Sequence, residues 1–164
     1  MTKTVEYVLE RVFKAPREMV WRAWTDPNLL HRWYGPGAET IIHKFDLEVG
    51  GEWLNEMKWG ENSMFQKVVF QEVDAPRKMV WHHYASTDEN WNSRPHPMMP
   101  DWPPVLLTTV TFEDRGAETR VHLSQIPMDA TDAQIASFAE KMSGMDKGWG
   151  SGYTILDKVL LEIA

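Results

Sequence analysis

Six histidines and no cysteine limit the chemistry this sequence can perform. His82 and His83 are neighbours in a β-rich run, so their side chains point to opposite faces of a strand. No His-x-x-x-His pair and no carboxylate stands at ligand spacing beside them. Neither a metal site nor a cofactor is expected. His83 shares parity with Met79 and Trp81, and His43 sits among Ile41, Phe45 and Leu47, which places both on interior faces. Each reads either as a buried histidine satisfied by a neighbour or as a group that touches a ligand. Asn55, between Trp53 and Met57, puts one polar group on an aromatic face, where a ligand-orienting contact and a hydrogen bond to a loop account for it about equally. Support for nucleophilic catalysis is slight. No serine lies in a Gly-x-Ser-x-Gly elbow, and the glycines from Gly144 to Gly152 sit in a helical pattern without the lysine of a phosphate-binding loop. Glu113-Asp114 reads as the lead into a turn, and an enzymatic reading would use His83 or Tyr84 as acid or base.

Apolar mass is concentrated. Four of the nine tryptophans, Trp21, Trp24, Trp33 and Trp53, stand in or near one short stretch of the N-terminal third. Each indole can hide roughly 150 to 250 Å² from water, so the group builds a core or a cavity wall. Met145, Trp149, Met98 and Met99 read as core at helical spacing or as a compliant lining.

The elements that position these residues follow from periodicity. Val5, Tyr7 and Leu9, then Val12 and Phe13, predict a strand over 4–13. Pro16 is expected at the first position of a helix carrying Val20, Trp21 and Trp24, and Asp26-Pro27 restarts a second short helix with the aspartate as cap. Gly35-Pro36-Gly37 ends it. Strands are expected over 40–48, with Ile41, His43, Phe45 and Leu47 on one face, and over 52–59, with Trp53, Asn55, Met57 and Trp59 together. Paired strands over 63–73 and 78–85 follow, then a hairpin of 105–113 and 118–125 across Asp114-Arg115-Gly116. Ala15-Pro16-Arg17-Glu18-Met19-Val20-Trp21 returns almost unchanged as Ala75-Pro76-Arg77-Lys78-Met79-Val80-Trp81, and its flanks predict helix for the first copy and strand for the second. The segment 86–104, with five prolines beside Trp91, Met98, Met99 and Trp102, reads as a lid. One long helix is expected from the stripe Ile135, Phe138, Met142, Met145, Trp149, Gly152, Leu156, Val159 and Ile163. Thr131 and Gln134 form its capping box, and a bend or close backbone approach is expected among its glycines.

The chain of 164 residues fits one domain, 1–164, able to bury about two thirds of its unfolded surface. Met1 to Tyr7 lacks the apolar core of a secretory signal, and no apolar run approaches the roughly 20 residues of a membrane span. Without cysteine nothing requires an oxidising compartment, so a soluble cytoplasmic protein is expected, with monomer and homodimer both compatible. A net charge of −7 with scattered basic residues argues against a nucleic-acid partner.

This order of strand, two short helices, antiparallel run and long C-terminal helix lets a helix lie in a curved sheet and enclose a space. It resembles the helix-grip superfamily of START lipid-transfer domains, birch-pollen-allergen-like proteins, polyketide cyclases and the activator of heat-shock protein 90 ATPase family. The last is the most similar, through Ala15-Pro16, Val20-Trp21-Arg22-Ala23-Trp24-Thr25-Asp26-Pro27, Trp33-Tyr34-Gly35-Pro36, Gly50-Gly51-Glu52-Trp53, Pro76-Arg77-Lys78-Met79-Val80, Val110-Thr111-Phe112 with Thr119, and Gly148-Trp149. The resemblance implies an α+β helix-grip (START-like) fold, a curved antiparallel sheet wrapped around a long C-terminal helix with two short helices after the first strand. It implies three roles in turn: binding a small hydrophobic molecule between sheet and helix, regulating a heat-shock chaperone's ATPase, or acting as a polyketide cyclase- or hydrolase-like enzyme. Eukaryotic activators of that family carry a further N-terminal domain that grips the chaperone, whereas this sequence begins at its first strand, an expectation that counts against chaperone activation. Non-enzymatic ligand binding leads on the aromatic interior and its sparse polar groups. Trp53, Asn55, Met57, Trp81, His83, Met145 and Trp149 are the candidate pocket residues.

Overall fold

The structure, a computed structural model, describes residues 5–164; Thr4, the expected start of the first strand, and Met1 to Lys3 lie outside the described residues. Strand β1 (Tyr7–Phe13) is followed by helices α1 (Arg17–Thr25) and α2 (Pro27–Trp33). Then come strands β2 (Glu39–Phe45), β3 (Glu52–Trp59), β4 (Asn62–Asp74), β5 (Lys78–Thr87), β6 (Val105–Arg115) and β7 (Glu118–Met128), and helices α3 (Asp132–Glu140) and α4 (Met142–Ile163). The strands form one seven-stranded antiparallel sheet in the order β1-β7-β6-β5-β4-β3-β2. It is a meander from β2 to β7, with β1 paired to β7 as the far edge, and α1 and α2 carry the chain between the two edges. This is the helix-grip α+β arrangement.

Local chemistry explains most boundaries. The Asp26 side chain accepts from the Asn28 backbone N–H and Pro27 opens α2, where the missing proline donor costs nothing. Pro16 stands one place earlier than expected. It is the extended N-cap of α1, at ψ 154°, and its carbonyl receives the N–H groups of Met19 and Val20. The second copy of the heptapeptide is strand because its first three residues make the β4–β5 turn. Met79 and Trp81 then pair with Val110 and Thr108 of β6, so neighbouring strands rather than the shared residues decide the conformation.

The parity expected for β2 is corrected. A register shift between Ile42 and Lys44 inserts a bulge at His43, so the inward positions are Thr40 and Ile42 before it and Phe45 after it. His43 therefore faces outward, where its Nε2 lies 2.9 Å from Glu56 Oε1 and its ring meets Trp91. Trp59 shares parity with Trp53 but stands at the strand end and is 44% exposed.

The single C-terminal helix is also corrected. It breaks at Lys141 (φ −97°, ψ 7°), which caps α3 and starts α4, before the first glycine rather than among them. The capping box of Thr131 and Gln134 is present at the start of α3. Among the four glycines of α4, close approach occurs only at Gly152, where a Cβ would lie 3.0 Å from the Trp33 carbonyl oxygen; beside Gly144, Gly148 and Gly150 the space is open. No helix among the described residues is long and apolar enough to cross a membrane.

Two glycines should respond oppositely. A Cβ on Gly51 would stand 2.1 Å from the Asp46 carbonyl oxygen, so Gly51→Ala should cost about 2 kcal/mol or more of unfolding free energy. Gly150→Ala, in open helix, should add roughly 0.5 to 1 kcal/mol. Urea denaturation checks both, and equal responses would contradict the assigned packing.

Candidate functional site

The core on the concave side of the sheet is aromatic. Trp24 is 1% exposed and meets Trp33 edge-on at 4.7 Å, Phe112 at 5.8 Å and Tyr153 at 6.1 Å, and it stacks on Trp149 at 6.0 Å. Helix α4 thus rests on the side chains of α1 and α2. Along its face from Met145 to Gly152 it leaves a cleft of about 260 Å³ against the sheet. The walls come from the end of α2 (Trp33, Tyr34), from β3 (Met57), from β6 (Leu106) and from α4 (Met145, Trp149). Met99 and Trp102 of the 86–104 segment complete them.

Polar groups are few and each is oriented. Trp81 Nε1 lies 3.2 Å from His83 Nδ1. Indole nitrogen only donates, so Nδ1 accepts and the neutral ring carries its proton on Nε2. Burial pushes the imidazole pKa down from 6.5 to about 4 and keeps it uncharged. The Tyr34 hydroxyl, whose pKa burial raises well above the ordinary phenol range, donates to Gln66 Oε1 at 3.0 Å. Gln125 Nε2 donates to Thr108 Oγ1 at 3.1 Å. His96 Nδ1 accepts the Met98 and Met99 backbone N–H groups, both at 3.1 Å, and burial followed by the nearby Arg94 charge lowers its pKa. Gln66, His83, His96 and Gln125 all border the cleft, and no Asp, Glu, Lys or Arg does among the described residues. The described residues contain no cluster of His, Asp or Glu able to hold a metal.

Of the seven candidates from the sequence, Met57, His83, Met145 and Trp149 border the cleft. Trp53, Asn55 and Trp81 do not; they share the concave face but are buried beneath it. Trp53 Nε1 donates to Asn55 Oδ1 at 2.6 Å, so the amide oxygen is held by a side chain of its own strand, and Asn55 Nδ2 has no partner among the described residues. Tyr84 pairs with Lys67 across the outer face, opposite to His83. The lid is divided: Trp91 turns to the outer face against His43 and Phe65, Met98 is 83% exposed, and only the later part reaches the cleft. Sequence reasoning misses Tyr34, Gln66 and Gln125 as site residues, although Gln66 shares parity with Val68 and Phe70 and Gln125 with Val121 and Leu123.

The family model for Activator of Hsp90 ATPase homolog 1-like protein matches residues 14–161. The chain belongs to that family. Solved structures agree on the fold. A solution structure from Arthrobacter aurescens is 24% identical with a TM-score of 0.79, over 96% of this chain and 86% of that one. A crystal structure from Mycobacterium smegmatis is 20% identical with a TM-score of 0.79, over 98% and 93%. The crystal structure of CalU16 from Micromonospora echinospora, at 17% identity, has a TM-score of 0.60 over 96% and 76%. No curated protein matches the sequence significantly.

The lowered pKa of His83 ties stability to pH. Its unfolded value lies near 6.5 and its folded value near 4, so the unfolded state binds the extra proton between them. The contribution is complete above the unfolded value and is lost as pH falls, by about 2 kcal/mol at roughly pH 5. Urea unfolding at several pH values should show this slope, and His83→Gln should flatten it; an unchanged slope would contradict a buried neutral ring.

Proposed function

We propose that the protein binds a small, largely apolar molecule in the cleft between the sheet and α4. The observation that carries this reading is a space of about 260 Å³ walled by indole, phenol and thioether groups with a few oriented polar atoms. Thioethers adapt to irregular guests, and aromatic walls provide contact area with little side-chain entropy to lose. An engineered apolar cavity of about 150 Å³ holds benzene, so this volume suits a compact guest rather than a two-chain lipid.

Regulation of a heat-shock chaperone's ATPase is the second reading, favoured by the family's name. It would act through the outer surface and not through the cleft. Cyclase- or hydrolase-like chemistry has less support: Tyr84 faces away, and His83 holds its proton on the nitrogen a base would need free.

Gly148 borders the cleft and has open space beside it, so Gly148→Leu should fill the space without unfolding α4. A thermal-shift screen of compact apolar compounds should give at least one saturable stabilisation. In Gly148→Leu that compound should bind at least about tenfold more weakly. A silent screen, or equal binding by the variant, would contradict the proposal, whereas chaperone ATP turnover altered equally by both proteins would support the second reading.

A further inference from the structure

The polar atoms bordering the cleft carry information about the guest's chemistry. Because Trp81 occupies Nδ1 of a buried, neutral His83, the one hydrogen-bonding function this ring can offer a guest is the Nε2–H donor. No protein acceptor engages that nitrogen among the described residues. Gln66, with its oxygen held by the Tyr34 hydroxyl, offers its N–H groups, and Gln125, with its nitrogen held by Thr108, offers its oxygen. None of the bordering side chains is an acid, a lysine or an arginine. A carboxylate or ammonium entering here would shed its water without meeting an opposite charge, whereas a neutral oxygen acceptor would meet a waiting donor.

The walls add a shape. Trp33, Tyr34, Trp102 and Trp149 border one space of about 260 Å³, which favours flat, polarisable rings over a long flexible chain.

Resting on the reading that the cleft binds a small molecule, we infer that its guest is an uncharged, compact aromatic carbonyl compound, whose oxygen accepts from His83 Nε2. Two fused rings fit within a space of about 260 Å³, and a ring hydroxyl or N–H would meet Gln125.

Three probes of nearly equal size separate the possibilities: 2-acetonaphthone (neutral carbonyl), 2-isopropylnaphthalene (no polar atom) and 2-naphthoate (anion). Tryptophan fluorescence titration should show the ketone binding at least about tenfold more tightly than either of the others. Its affinity should be level between pH 7 and 8, since burial lowers the pKa of both imidazoles that border the cleft, His83 and His96. His83→Phe should erase the ketone's advantage over the hydrocarbon. A second readout does not depend on that buried variant: in the wild type, the infrared carbonyl stretch of the bound ketone should move to lower frequency than in hexane. Equal affinity for ketone and hydrocarbon, tighter binding of naphthoate, or an unshifted stretch would overturn the carbonyl assignment while leaving the pocket intact. Failure of all three probes to bind would overturn the pocket reading itself.

Discussion

Helix α4 is held by aromatic side chains of α1 and α2, and this support determines the space beneath it. Trp24 is the centre of the contact, enclosed by Trp33, Trp81, Phe112, Trp149 and Tyr153. Rings of this size lose roughly 150 to 250 Å² each to burial and prefer edge-on or offset contacts, so the junction is strong and fixes distances. Gly152 brings α4 against the Trp33 carbonyl, and the face running back to Met145 borders open volume. The same residues that stabilise the helix therefore keep it from closing onto the sheet.

The concave face solves its polar problem twice by one device. On β3 the Trp53 indole donates to Asn55, and on β5 the Trp81 indole donates to His83, each two residues on and on the same face. Burying an indole N–H without a partner is costly, and here the partner is supplied by the next inward side chain. In the first pair the acceptor stays under the core; in the second it borders the cleft with its far nitrogen free. That difference leaves one imidazole N–H of the packing device at the cleft.

Much of this was legible in the chain. The strand and helix order followed from periodicity and from Asp26-Pro27, Gly35 and the Thr131 capping box, all local signals. Misplacements had nonlocal causes. The bulge that turns His43 outward depends on pairing with β3, and the break at Lys141 lies in a sequence whose apolar stripe continues through it. At the site, alternation identified the inward face, which holds Trp53, Asn55, Met57, Trp81 and His83 alike. It could not tell the residues under α1 and α2 from those under the cleft. Parity alone places Gln66 beside Val68 and Gln125 beside Leu123, but it does not mark either glutamine as a site group until its partner, Tyr34 or Thr108, is brought to it.

Rigid aromatic support leaves a persistent apolar space between α4 and the sheet. Diffraction from a crystal pressurised with xenon tests it most directly, since xenon enters apolar cavities without needing polar partners. Xenon density is expected in the space bounded by Met57, Leu106, Met145 and Trp149. Density found only elsewhere, with Trp149 or Met145 folded into the space, would contradict it.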